Sequence, residues 1–151
     1  MKAYQLTIPL ENRPGVLAGV TAVLAAEKIN IRAISITSFG GSGFLHMMVE
    51  DPHRGRKALV KAGIPADLKE IVAVLIADKP GGLDTLLHFL STKGINIENA
   101  YGFVIESRKN AVFVIDVNDP NAAREALNAG GFEILTSQAL SEIEPFHYMK
   151  Y

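Results

Sequence analysis

The chain has 151 residues, 48% of them apolar, with 15 basic against 16 acidic side chains and a formal charge of −1. That is enough apolar material for one ordinary domain or two minimal ones, which excludes a disordered chain, and near neutrality without a block of like charge argues against a nucleic-acid partner. The absence of cysteine removes disulfides, iron–sulfur clusters and thiol nucleophiles; with no signal-peptide run and no stretch near the roughly 18 apolar residues that span a bilayer, a cytoplasmic protein without a membrane partner is expected.

Along the chain, Tyr4, Leu6 and Ile8 alternate with Gln5 and Thr7, the period of a strand buried on one side. After Pro14, the residues Val16, Leu17, Val20, Val23 and Leu24 fall at helical spacing. That helix runs into Lys28-Ile29-Asn30. From Ile31 to Thr37 β-branched residues alternate again, and glycines turn the chain into a strand from Phe44 to Val49, so a hairpin is expected. Pro52 then opens a helix ending near Gly63, because proline suits the first helical turn and glycine the position after the last. A final strand leads into the next stretch.

The chain then repeats itself. Asn12 and Asp78 are 66 positions apart, and the same offset pairs Pro14 with Pro80, Gly15 with Gly81, Leu17 with Leu83, Asn30 with Asn96 and Ile31 with Ile97. Further on the offset is 68, matching EDP at 50–52 with NDP at 118–120 and Ala58-Leu59 with Ala126-Leu127. Two residues are therefore inserted, at the turn whose first version is Gly40-Gly41-Ser42 and whose second is the stretch 106–110. Leu83, Leu86, Leu87 and Leu90 mark the second copy's first helix, and Pro120 starts its second, ending near Gly131. One supersecondary unit has been duplicated.

Each unit reads β-α-β-β-α-β. That order predicts an α+β fold of two ferredoxin-like modules, residues 1–68 and 69–151, each a four-stranded antiparallel sheet with both helices on one face. On the first hairpin, Leu45, Met47 and Val49 would face the helices, leaving Phe44, His46 and Met48 on the other side. So apolar a face asks for a cover, by another sheet or another subunit, and a homodimer is expected.

The repeated loops, ENRPGVL at 11–17 and ADKPGGL at 77–83, carry the chemistry. Arg13, ahead of a proline, should be extended and Pro14 should open the helix, so the free donors are expected to be the amides of Gly15, Val16 and Leu17 at the positive helix end. A carboxylate there would gain charge-assisted bonds of about 1.5–3 kcal/mol each, and glycine lets it approach the backbone. Asn12 and the Asn30-Ile31 pair supply acceptors for an ammonium group. Such a site describes a free α-amino acid. The competing reading makes Asn12 and Asp78 helix caps, Asn30 and Asn96 polar turn residues, and Gly15 a residue required by positive φ.

ENRPGVL followed by KINIRAIS at 28–35 resembles the ligand loop and second strand of the ACT domain, a regulatory amino-acid-binding module, and is similar to the serine-sensing domain of D-3-phosphoglycerate dehydrogenase. The resemblance covers the chain as two ACT repeats. It implies a ligand held between two modules by Asn12, Pro14, Gly15, Val16, Leu17, Asn30 and Ile31, and in the second copy by Asp78, Pro80, Gly81, Gly82, Leu83, Asn96 and Ile97. The serine sensor has a histidine two residues before its Asn, where this chain has Leu10 and Ile76, so the amino acid is left open. Asp78 and Gly82 replace Asn12 and Val16, so the two sites need not be equivalent. The function implied is a sensor, not an enzyme, that passes ligand occupancy to a regulated enzyme or regulator and needs no cofactor.

Three rival readings remain. A docking or dimerisation module would bind no amino acid. A detached regulatory subunit of an amino-acid biosynthetic enzyme would act on a partner chain. An acylphosphatase-like hydrolase on the same architecture would use Arg13 and Asn12, yet the glycine pattern leading to its arginine is missing. The histidines at 46, 53, 88 and 147 lack the spacing of metal ligands, and no nucleophile elbow or phosphate loop is written, so neither catalytic residues nor a metal is expected.

Overall fold

The computed structural model describes residues 2–11 and 13–143, so Asn12 and His147 lie outside the described residues. The chain divides into two compact units, Tyr4–Glu70 and a second that joins the residues up to Ala3 to the stretch from Ile71. The first contains β1 (Ala3–Glu11), α1 (Val16–Ala26), β2 (Ile31–Phe39), β3 (Ser42–Val49) and α2 (Pro52–Lys61), and closes with the start of β4 (Asp67–Ala77). Its strand order is β2-β3-β1-β4, with β3 antiparallel to both β1 and β2.

The second unit starts on the later part of β4 and continues through α3 (Gly82–Thr92), β5 (Ile97–Glu106), β6 (Asn110–Val117), α4 (Pro120–Ala129), β7 (Glu133–Leu135) and α5 (Ser137–Ser141). Here the order is β7-β4-β6-β5, antiparallel throughout. Each unit is therefore a ferredoxin-like module with the order last, first, third, second. A single strand, β4, serves as the last of one and the first of the next. The short α5, whose Thr136 cap accepts from the Ala139 amide at 3.0 Å, has no counterpart in the first copy and was not legible as an element.

Local chemistry explains the boundaries. Asp51 and Asp119 each accept a hydrogen bond from the amide three residues on, Arg54 and Ala122, at 3.1 Å, and Pro52 and Pro120 follow them at the first helical position. Such caps are worth about 1 kcal/mol, and the duplication has kept both. In the first module Leu6 and Ile8 of β1, Leu45, Met47 and Val49 of β3, Val20 and Leu24 of α1 and Leu59 of α2 form one core. The second repeats it with Val72, Val74, Ile115, Val117, Leu86, Leu90, Ala123 and Leu127. Truncating a buried leucine here to alanine would cost about 2–5 kcal/mol.

The sheet face turned away from the helices is not uniformly exposed. Phe44 is half exposed, but Met48 and Gln5 are buried. Gln5, which the alternation marks as the polar side of β1, satisfies its amide by donating to Thr7 Oγ1 at 3.3 Å and lies 3.3 Å from His46 Nδ1. On the same face of the second module Ile71, Ala73, Val112 and Val114 are buried, together with Asp116. Burial, and then the nearby Asp116 carboxylate, push the Tyr101 phenol well above its ordinary value. No helix among the described residues is long and apolar enough to cross a membrane.

Candidate functional site

The first loop leaves β1 at Glu11 and enters α1 at Val16. Its turn is closed by the Arg13 amide donating to the Glu11 carbonyl at 3.0 Å and by the Val16 amide reaching the Arg13 carbonyl at 3.4 Å. The Arg13 guanidinium also meets Glu11 Oε2 at 2.9 Å, but both side chains are mostly exposed, so water screens the pair. Gly15 is the N-cap at φ 89°, in the left-handed region.

This corrects the expectation that Pro14 opens the helix with Gly15 inside its first turn. The helix begins two residues later, and Gly15 is required by its positive φ. Added bulk would not clash, since a Cβ at Gly15 meets nothing within 4 Å. The donor set shifts accordingly. The Val16 amide is engaged, and the first helical bond runs from the Gly19 amide to the Gly15 carbonyl at 2.9 Å. Leu17 and Ala18 therefore carry the first-turn amides that no described carbonyl receives, at the positive end of α1. The Leu17 side chain packs against the core.

The second loop has the same turn and a different interior. Gly81 is the N-cap of α3 at φ 88°, and the Gly82 amide donates to the Lys79 carbonyl at 3.0 Å. Asp78, the counterpart of Asn12, is committed elsewhere. Its amide donates to the Lys109 carbonyl at 3.1 Å and its carboxylate accepts from the Arg108 amide at 2.7 Å. Gly82 sits so close to the end of β4 that a Cβ would lie 2.0 Å from the Ala77 carbonyl oxygen. A valine like Val16 could not stand there. Beside this loop lies an apolar groove of about 370 Å³ lined by residues that include Ile76, Leu83, Phe103, Val104 and Phe113.

The remaining candidates are not brought next to these loops within one module. Asn30 and Ile31 follow the C-terminal end of α1, while Pro14 to Leu17 form its start. Eleven residues of helix separate the two ends by about 16 Å. Asn96 and Ile97 stand in the same relation to Gly81, Gly82 and Leu83 across α3, also eleven residues long. Asn30 and Asn96 are both exposed.

Between the ends of α1 runs a shallow groove of about 370 Å³ lined by Ala18, Thr21, Ala22, Ala25, Asn30 and Ile31. The alanines are exposed and spaced three and four apart, so this helix face is flat and small. Beside it β2 is an edge strand with Ile34 and Ile36 43% and 49% exposed, too bare for a strand that ends its business in water. None of these alanines, nor Ile34 or Ile36, entered the sequence-based site. Their signal is the pairing of small residues at helical spacing with an apolar edge, which becomes meaningful only once both are known to be unpaired.

Compared with known families, residues 1–144 match the model described as ACT domain pair. The chain belongs to the ACT domain pair family. Among solved structures this ACT pair is similar to protein BT0572 from Bacteroides thetaiotaomicron, with 34% identity over 94% of this chain and 97% of that one and a TM-score of 0.86. It also resembles the ligand-free regulatory subunit of aspartate kinase from Thermus thermophilus, at 20% identity over 85% and 93% of the two chains and a TM-score of 0.60. The corresponding subunit from Thermus flavus matches at 20% identity over 87% and 94%, with a TM-score of 0.55. At that identity the Thermus proteins share the fold. No curated protein sequence matches the chain. The ACT resemblance drawn from ENRPGVL and KINIRAIS is thus the family of the whole chain, and each ACT module begins its first helix at a Pro-Gly loop. Among the described residues no three side chains group in a way that would hold a metal ion.

Proposed function

We propose that this ACT pair is a regulatory sensor that binds a free amino acid at a site shared between modules of two copies of the chain and passes its occupancy to a partner protein. One observation carries the reading: the loop donors and the Asn30-Ile31 acceptors occupy opposite ends of α1, with an exposed small-residue face between them. Two such helices lying antiparallel across a two-fold axis would bring the Leu17 and Ala18 amides of one copy to Asn30 of the other. The carboxylate would then sit on a helix N-terminus and the ammonium on amide and carbonyl oxygens, and occupancy would favour one arrangement of modules over another.

The first loop is the better candidate. In the second, the Asp78 carboxylate already serves the β5–β6 turn and Gly82 is held against β4, so that loop is built for rigidity. The regulated partner is proposed only as a class, an enzyme or regulator of amino-acid metabolism in the cytoplasm, and the Thermus subunits are examples of this fold in such a role.

The test is a thermal-shift screen of the twenty amino acids on the full chain. A ligand at about 100 times its dissociation constant should add roughly 2.7 kcal/mol, a melting shift of about 5–10 °C for a chain of this size. If no amino acid at millimolar concentration shifts the melt, and calorimetry finds no heat, the chain is a docking module. Hydrolysis of an acyl phosphate in a parallel assay would instead favour the hydrolase.

A further inference from the structure

The second helices of the two modules differ in charge. At the offset of 68 that aligns them, α2 carries Arg54, Arg56, Lys57 and Lys61 where α4 carries Ala122, Arg124, Glu125 and Ala129, and it exposes Val60 where α4 has Asn128. The four cations and Val60 all lie on the exposed face, and Val60 is 53% exposed. Spacings of three and four residues bring Arg56 and Lys57 over the turn that holds Val60 and Lys61. No described acidic side chain forms a salt bridge with any of the four cations. Asp51, at the helix start, is spent as a cap on the Arg54 amide. Arg56 Nε donates to the Ala66 carbonyl at 3.1 Å and Arg54 to the Glu27 carbonyl, which holds both side chains close to the protein surface.

These residues border a groove of about 660 Å³ whose floor adds the half-buried Leu68. None of them belongs to the Pro-Gly loops or the strand starts discussed above. This face groups four cations that lack a described carboxylate partner around an exposed valine, whereas the same face of the other copy carries mixed charges and Asn128.

We propose that the outer face of α2 docks an acidic segment of a partner protein, its carboxylates on Arg54, Arg56, Lys57 and Lys61 and one apolar side chain against Val60 and Leu68. The apolar contact selects a peptide over a nucleic acid, whose backbone has no side chain to place there. The charges set encounter rate and orientation, and the buried contact sets residence time.

The experiment measures binding of a short labelled peptide, alternating aspartate and glutamate around one central leucine, to the full chain by anisotropy at about 50 mM salt. Lys57→Glu with Lys61→Glu should weaken it by about tenfold, the sum expected of two lost attractions and two new repulsions at a solvent-facing rim. Val60→Asn, or serine in place of the peptide's leucine, should weaken it by about threefold. Lys93→Glu with Lys109→Glu, which changes net charge equally, should leave it unaltered. If the α2 double reversal melts early, Lys57→Gln with Lys61→Gln should show a smaller loss in the same direction. The proposal fails if the peptide does not bind at millimolar concentration, if the α2 variants or Val60→Asn bind as the wild type does, if Lys93→Glu with Lys109→Glu weakens binding as much, or if a single-stranded oligonucleotide of matched charge binds more tightly.

Discussion

The Asp78 carboxylate accepts a hydrogen bond from the Arg108 amide at 2.7 Å, tying the loop that opens α3 to the turn between β5 and β6. Arg108 has φ 66°, a left-handed conformation that costs a side-chain-bearing residue about 1–2 kcal/mol, and the bond to an ionised acceptor helps hold it there. The longer second turn, product of the two-residue insertion, thus depends on the residue that replaced Asn12.

Asp78→Ala should therefore destabilise the second module by about 1–2 kcal/mol, a melting shift of roughly 3–6 °C. Asp78→Asn keeps the acceptor without its charge and should cost about half as much. Urea denaturation of both variants measures the difference. An Asp78→Ala variant as stable as the wild type would return the residue to the ligand-binding column.

The two loops predict a graded glycine series. Gly15→Ala and Gly81→Ala each force alanine to φ near 90° with free space around the new methyl, and should cost about 1–2 kcal/mol. Gly82→Ala meets the Ala77 carbonyl oxygen at 2.0 Å and should cost more than either, about 3 kcal/mol or beyond. Melting curves on the three single variants rank them, and equal losses would contradict the close approach at Gly82.

Asn30 separates a ligand contact from a turn residue. It is exposed, and its carbonyl, which accepts the Glu50 amide at 3.0 Å, survives any substitution. Asn30→Ala should leave the melt within about 0.5 kcal/mol of wild type while reducing affinity for the amino acid found in the screen by about tenfold or more. Asn96→Ala should have the smaller effect on binding. Calorimetric titration of both variants distinguishes the sites.

Assembly depends in the same way on the β2 edge. Ile34→Lys with Ile36→Lys puts two charges on the exposed apolar edge beside the α1 face, and charges on such an edge block association through it. Light scattering should report a smaller particle than wild type, and the ligand-induced melting shift should vanish with it. A variant that remains the same size and still responds to ligand would remove the shared site.

Tyr101 predicts an alkaline limit. Its phenol holds its proton well above the ordinary value near 10, because burial and the Asp116 carboxylate disfavour the phenolate. Below about pH 10 the folded and unfolded chains both keep that proton and the contribution is constant. Above it only the unfolded chain releases the proton, so stability should fall by about 1.4 kcal/mol per pH unit. Comparing wild type with Tyr101→Phe between about pH 8 and 11 isolates this slope, which the variant should lack.

What could be read from the chain alone was whatever depends on near neighbours. Strand and helix periods placed Leu6, Ile8, Leu24, Leu45 and Met47 inward; Pro52 and Pro120 marked helix starts; the two offsets located the duplicated unit and the turn that differs between its copies. Those signals survive because a side chain's face follows from the period of its own backbone, and a proline fixes its own first turn. The tertiary structure decided everything that depends on which distant atoms meet. It gave Gly15 a left-handed backbone where a first helical turn was expected, engaged Asp78 with a turn thirty residues away, and pressed Gly82 onto the Ala77 carbonyl. It also set Asn30 at the far end of α1 from the loop it was grouped with, because a helix of eleven residues is a rigid spacer whose length no pattern of residue types reports.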